Sequence, residues 1–528
     1  MYAKMMRPPI ANALFALLIG ITGLLCYMGL TNGHDWGDDF AGYIMQAQSI
    51  VEGRPREFIK ASRFTMEQTS AAAGPAVYPW GFPAMLAPLY AVYGNNVIAL
   101  KSVGVVSLLL FLWVLWLGLR KYHSDFWRLV MVGLFALNPY LLFFTNEILS
   151  DIPFLLFSTV SLMLLGAIVI EKRRLISPIA DQLLLGALIA ASFSIRTNGI
   201  ALLFTLGITQ VAVALPSVIA QRTTDGRGLA SLKGVLSQTT VHHLCVALLP
   251  YITFVILTSV WSTLLPGGGS SYFSLFRGMS LGLIKHHLVY YLDIPGMFIT
   301  PTSSHRYLIH GARVVYGATI LLAGVGIRKR YRSDFHMLAY MALTLLLYIL
   351  WPFEQGIRFL FPLLPFYVSF VLTGLEELLS FVIGPEETLW KTISVSPVIV
   401  ILLGCTILSA KRAFDNLNRN RDGRYGPYIQ TSRDMFSFVA ENTDPTSTIV
   451  FFKPRAMKLM TGRRSLMIDR VGELSRGDYV CVYLPGNGYD QVPPGDIERL
   501  AAQGGIEPVY KNKNFALYRL TKSISRSQ

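Results

Sequence analysis

The chain has 528 residues, of which 53% are hydrophobic and only 15% charged, and its mean hydropathy is positive. That balance excludes a string of soluble domains and describes a polytopic membrane protein. The net charge of +15 does not point to nucleic acid, because the basic residues are spread over short loops and a polar tail and form no single patch.

Apolar runs of about twenty residues predict spans near 10–30, 96–118, 128–144, 152–170, 182–195, 199–216, 243–263, 308–327, 336–351, 359–375 and 393–410. No small-residue cleavage site follows the first run, so it reads as a retained span. Arg120, Lys121 and Arg128, then Lys172-Arg173-Arg174, then Arg222, Arg227 and Lys233, then Arg328-Lys329-Arg330 and Arg332 all fall on one side. The turns at 145–150 and 351–356 carry no Lys or Arg. The positive-inside rule therefore predicts a cytoplasmic N-terminus and an outward first loop. With about eleven crossings the tail is outward too. Cys26, Cys245, Cys405 and Cys481 are scattered, which argues for neither a disulfide framework nor a metal cluster.

Four outward segments stand out. The first, 31–95, carries Asp35, Asp38 and Asp39 and then Phe40, Tyr43, Ile44, Ala47, Ile50 and Val51 at helical spacing. This predicts a helix along the membrane interface with Asp38 or Asp39 as its N-cap. A basic stretch (Arg54, Arg56, Lys60, Arg63) and Val77–Tyr90, rich in Pro and aromatic residues, complete the segment. The second is the turn 145–153. The third, 265–309, opens with Pro266 and three glycines, a hinge suited to a lid, and holds Arg277, Lys285, His286, His287 and Asp293. Adjacent histidines face different sides of a helix, so His286 and His287 make a poor metal pair. The fourth is 352–362. Acidic residues gather at span ends on one side, unlike the mid-membrane polar groups of a secondary transporter.

From Lys411 the composition turns polar. Strands are predicted at 448–452, 464–468, 479–484 and 515–519, with helices at 432–441, 455–461 and 494–502. The expected division is a membrane domain, 1–410, and an α/β domain, 411–528.

An outward site at a membrane surface has no access to cytosolic nucleotide donors, so an activated donor there is lipid-linked. Such a site needs a carboxylate base for an acceptor hydroxyl. It also needs arginine for the departing phosphate and an apolar groove for the lipid tail.

The motifs resemble one family. Asp38-Asp39-Phe40-Ala41-Gly42-Tyr43 is similar to the Asp-Glu-x-x-x-Tyr pattern of GT-C membrane glycosyltransferases, nearest to protein O-mannosyltransferases and bacterial aminoarabinose transferases. Tyr78-Pro79-Trp80-Gly81-Phe82-Pro83-Ala84-Met85-Leu86 resembles their Pro-Pro-x-x-x-x-Leu element, and Glu147-Ile148-Leu149-Ser150-Asp151 their second acidic turn. Arg196-Thr197-Asn198-Gly199 and Arg358-Phe359-Leu360-Phe361-Pro362 resemble their arginine motifs.

The resemblance implies a polytopic α-helical membrane protein of about eleven transmembrane helices, with juxtamembrane helices in the first outer loop and a small C-terminal α/β periplasmic domain. It implies residence in a bacterial cytoplasmic membrane. The implied activity is inverting transfer of a hexosyl or pentosyl group from a polyprenyl-phosphate donor to a hydroxyl of a cell-envelope glycan, lipid or protein. Asp38 is then the base, with Asp39 second; Asp151 and Glu147 orient the acceptor; Arg358 and Arg196 hold donor phosphate; Tyr43 and Tyr78 line the substrate. The resemblance names no certain cofactor and leaves a divalent cation open, with Asp151 as the residue that would position it. Tyr78 stands where the relatives carry Lys or His, and Trp80 replaces the second Pro, so a cation must come from elsewhere in the chain. The rival readings are a secondary transporter, a non-catalytic envelope scaffold and, nearer, an oligosaccharide ligase.

Overall fold

The computed structural model describes residues 8–70, 74–224, 238–267, 279–299, 306–382, isolated positions between 404 and 415, 425–485 and 488–521. The expected span 393–410, most of the 410/411 boundary region, and Gly268, Gly269 and Arg277 of the third loop lie outside the described residues.

Helix α1 (Pro8–Gly29) leads into a loop that holds the acidic residues. Helix α2 (Asp39–Val51) follows, but it does not lie on a surface. Phe40 through Ala47 are all buried, because Gly42, Gln46 and the alanines leave no broad polar face. Nor do the aspartates cap it, since Asp38 makes no side-chain bond to the first turn of α2. Helix α3 (Pro55–Gln68) starts on a proline and buries Phe58, Ile59, Ser62 and Thr65 along one stripe. Helix α4 (Gly81–Tyr93) meets the chain at Ser194 and Ile195 so closely that a Cβ at Gly81 would lie 2.5 Å from backbone.

Helix α5 (Val97–Gly118) is capped by Asn96, which accepts from the Ala99 N–H at 3.2 Å. Helices α6 (Asp125–Ala136) and α7 (Pro139–Thr145) form one apolar run bent by 53°. The bend falls at Asn138-Pro139, where Asn138 caps α7 and the proline cannot continue the preceding helix. Helices α8 (Asp151–Leu165), α9 (Pro178–Ile195) and α10 (Ile200–Thr224) come next. Helices Gln238–Leu264, Leu281–Asp293, Gly296–Ile299, Arg306–Arg330, Phe335–Ile349 and Leu364–Val382 then lead toward the tail. Gly374 lets Leu364–Val382 touch the backbone of Arg306–Arg330: a Cβ there would meet the Leu322 carbonyl at 1.9 Å.

Among the described residues, seven helices are long and apolar enough to cross a membrane, or eight with the bent pair as one span. The chain is a multi-pass helical protein. The expected crossings at 308–327 and 336–351 do form helices. The second is only 15 residues long, and the first carries basic residues within it.

The C-terminal part forms a five-stranded mixed sheet in the order β2-β1-β3-β5-β4. The strands are β1 (Thr448–Val450), β2 (Arg464–Leu466), β3 (Tyr479–Tyr483), β4 (Ile506–Lys511) and β5 (Phe515–Leu520). Strands β1, β2 and β3 pair in parallel, while β5 runs antiparallel to β3 and β4. The sequence patterning did not reveal β4. It contains Pro508, tolerated because β4 is an edge strand whose register shifts between Pro508 and Tyr510.

The first loop grips both faces of this sheet. Trp36 packs edge-on against Phe451, Phe452, Phe436 and Phe515, with ring centroids 5.0–6.3 Å away. Phe64 of α3 packs on the opposite face. The Ser70 N–H also donates to the Met467 carbonyl at 2.9 Å.

Candidate active site

The helix Pro454–Thr461 carries the chain from β1 to β2, and its first turn faces the acidic loop. Asp38 meets it there. The Arg455 N–H donates to Asp38 Oδ1 at 2.9 Å and the Ala456 N–H approaches the same oxygen at 3.4 Å. Asp38 therefore caps a helix from the far end of the chain and not its own. Its other oxygen is buried, 3.6 Å from Arg455 Nη1 and without a hydrogen bond. Burial raises the Asp38 carboxyl above its ordinary value, against the pull of Arg455 and Lys453.

Asp39 differs. Its side chain is 36% exposed, Oδ2 lies 3.8 Å from Arg358 Nη2, and Oδ1 accepts from the Tyr78 hydroxyl at 2.7 Å. Burial opposes its charge, but Arg358, Tyr78, Arg455 and Arg196 outweigh it and hold the carboxyl below the ordinary range. Tyr78 is fixed in turn. Its backbone exchanges hydrogen bonds with the Gln46 amide, and its ring tilts against Tyr43 at 4.7 Å. The Tyr43 hydroxyl pairs with Ser150 Oγ at 3.1 Å.

Two chambers open here. The smaller, about 460 Å³, is lined by Asp35, Asp38, Asp39, Glu147 and Asp490, with Arg358 and Lys453 as its lysine and arginine. The larger, about 1080 Å³, has an aromatic and aliphatic wall of Tyr140, Phe143, Phe144, Tyr290, Ile294 and Met297, and Asp35, Glu147, Asp293 and Asp415 also line it. They share His34, Asp35, Phe143, Phe144, Glu147 and Arg358, so the guanidinium stands where the two chambers meet.

The remaining expected residues divide. Glu147 lines both chambers, with Oε2 2.9 Å from His34 Nε2, which also accepts from the Ile148 N–H at 3.0 Å. Asp151 and Arg196 line neither chamber. They form a buried ion pair, and Arg196 stacks on Phe359 at 4.2 Å. Tyr43 and Tyr78 stand behind Asp39 and line neither chamber. Among the described residues, no cluster of three His, Cys, Asp or Glu side chains could hold a metal ion.

Sequence reasoning missed Lys101, His34, Lys453 and Arg455. Lys101 is fully buried and donates to the Thr31 carbonyl at 3.0 Å, the Gly33 carbonyl at 2.5 Å, Thr31 Oγ1 at 3.1 Å and Asn146 Oδ1 at 2.9 Å. It ties the loop after α1 to the turn that carries Glu147. A lone lysine inside an apolar run was the available signal. Arg455 and Lys453 gave none, because only the folded sheet brings them to the loop.

No family model and no curated protein matches the chain. Solved structures do. The chain is similar to ArnT from Cupriavidus metallidurans bound to undecaprenyl phosphate, at 12% identity and a TM-score of 0.55, covering 97% of this chain and 99% of that one. It is similar to the Archaeoglobus fulgidus oligosaccharyltransferase in the apo form, at 10% identity and a TM-score of 0.52, covering 98% and 75%. The archaeal oligosaccharyltransferase AglB from Archaeoglobus fulgidus, in complex with an inhibitory peptide and a dolichol-phosphate, aligns at 12% identity and a TM-score of 0.50, covering 96% and 74%. These structural neighbours are membrane glycosyltransferases of the GT-C superfamily, and the fold of this chain is theirs.

Proposed function

We propose that the chain is a membrane glycosyltransferase. It takes a sugar from a polyprenyl-phosphate donor and attaches it to a hydroxyl of a cell-envelope glycan, lipid or protein at the outer face of a bacterial cytoplasmic membrane. The observation that carries this reading is Arg358 at the meeting of the two chambers, one of them with a long aromatic wall, and the open carboxylate oxygen of Asp39 3.8 Å away. The lipid-phosphate complexes of two structural neighbours support the donor class. Basic loops on the side opposite the first loop support the outward orientation.

The larger chamber takes the start of the polyprenyl chain and Arg358 takes its phosphate. Asp39 removes the acceptor hydroxyl proton as that oxygen attacks the anomeric carbon from the face opposite the phosphate. The bond from anomeric carbon to phosphate oxygen breaks, and the polyprenyl phosphate leaves with its charge stabilised by Arg358. One displacement inverts the anomeric centre. Geometry favours Asp39 over Asp38 as the base, because both Asp38 oxygens are turned toward the C-terminal sheet. Glu147 faces both chambers and orients the acceptor, and Lys453 supplies a second cation to the smaller one. Arg196 acts through its pairing with Asp151, which sets the start of α8. The division near residue 410 and a total close to eleven crossings remain part of this reading.

The test is transfer from a radiolabelled polyprenyl-phosphate sugar in purified membranes, wild type against Asp39→Asn. The expected result is a loss of at least about 100-fold. Undiminished transfer by the variant would remove Asp39. Transfer only from a pyrophosphate-linked oligosaccharide would make the chain an oligosaccharide ligase.

A further inference from the structure

The C-terminal sheet does more than cover the site. We propose that Arg455 is a positioning residue for Asp39: it directs the Tyr78 proton onto one carboxylate oxygen and leaves the other to react. The proposal rests on the reading of Asp39 as the base.

A guanidinium only donates. Arg455 Nη1 donates to the Tyr78 hydroxyl oxygen at 2.7 Å, so the single phenolic proton points onward, to Asp39 Oδ1 at 2.7 Å. Without Arg455 the phenol could turn and accept a proton from a neutral Asp39. With Arg455 in place that arrangement is closed, a proton on Asp39 is left only Oδ2, and there the Arg358 guanidinium 3.8 Å away disfavours it. Asp39 Oδ1 is then occupied, while Oδ2 faces the chamber and Arg358.

Arg455 is held rigidly enough for this. Its side chain is 4% exposed, its Nη2 donates to the Pro75 carbonyl, and its backbone N–H is bound by Asp38. Its guanidinium lies 4.9 Å from the centre of the Tyr78 ring. Gly42 makes room for both groups: a Cβ there would lie 2.9 Å from the Tyr78 ring and 3.3 Å from Arg455 Cδ. Arg455 lines neither chamber, so it acts on the reaction through Tyr78 and not on substrate.

The groups acting on Asp39 come from every side. They are Asp38 beside it, Tyr43 on α2, Tyr78 before α4, Arg196 after α9, Arg358 in the turn before Leu364–Val382, and Arg455 from the sheet. Of these, Tyr78 and Arg455 form the only hydrogen-bonded relay among the described residues that ends on Asp39 Oδ1.

The experiment measures Asp39 protonation without turnover. The full-length protein is treated with a carbodiimide across a pH series, and labelling of Asp39 is read by mass spectrometry. Arg455→Gln is expected to move the labelling midpoint upward by about one unit, and Arg455→Lys to restore part of the shift. Tyr78→Phe, which keeps Arg455, is expected to raise it as well. An unchanged midpoint in Arg455→Gln, with the sheet still protease-resistant, overturns the proposal. Should that variant release the sheet, an unchanged midpoint in Tyr78→Phe overturns it instead. Labelling needs no sugar transfer, so a wild type that transfers nothing refutes the glycosyltransferase reading while the relay is judged separately.

Discussion

The backbone N–H of Arg455 donates to the Asp38 carboxylate at 2.9 Å, joining residues 417 positions apart. The two adjacent aspartates of the first loop thus have different tasks. One holds the C-terminal sheet against the loop, and its neighbour faces the chamber.

The difference is measurable as stability against activity. Asp38→Ala removes a helix cap, about 1 kcal/mol, and deprives a buried guanidinium of its nearest carboxylate, which costs more. The expected result is a lower Tm and faster proteolysis of residues beyond 425. Asp38→Asn keeps the cap and loses only the charge, so its Tm falls less. Asp39→Asn lowers transfer at least about 100-fold and lowers Tm less than Asp38→Ala does, because its amide oxygen still accepts from Tyr78.

Transfer is expected to persist from neutral into mildly acidic pH, with its acid limb below the ordinary aspartate value of about 3.9. The sign follows from Asp39, whose carboxyl is lowered in the folded state. Its contribution to stability is present above the unfolded value and lost as pH falls through the lowered folded one. Asp38, raised by burial, works in reverse, and its ionisation costs stability as pH rises past the unfolded value. A pH–rate profile of transfer and a pH series of Tm read the two separately.

Arg358→Ala is expected to lower kcat/KM for the lipid donor by about 10–100-fold, the value of a charge-assisted hydrogen bond. Arg358→Lys recovers part, since an ammonium cannot present the fork. The alanine variant also moves the acid limb upward, because Arg358 is the largest influence holding Asp39 ionised. Steady-state kinetics at several pH values distinguish the effects.

Lys101→Met leaves the Thr31, Gly33 and Asn146 oxygens without their shared donor. A loss of more than about 2 kcal/mol is expected, seen as a lower Tm in detergent. Transfer falls with it, because Glu147 sits on the turn that Lys101 anchors.

The membrane helices were legible because apolar runs of that length have few other uses. The aspartate pair, Glu147 and Arg358 were legible because charges at span ends are costly and few. The burial of α2 was not, since its periodicity fits an interface equally well and only packing against α4 decides. Nor was the role of Asp38, whose partner belongs to a helix that looks like any short amphipathic segment. Asp151 and Arg196 were each visible as charges, but their pairing depends on how α8 meets the end of α9.

Trp36 anchors the loop in an aromatic cluster made by residues 436–515. Synthesis runs from the N-terminus, so the loop waits without its full anchor until Phe515 has been made. A nascent or truncated chain with every apolar helix in place still lacks the partner that orders its acidic loop. The indole thus ties the order of the acidic loop to a sheet made about 400 residues later.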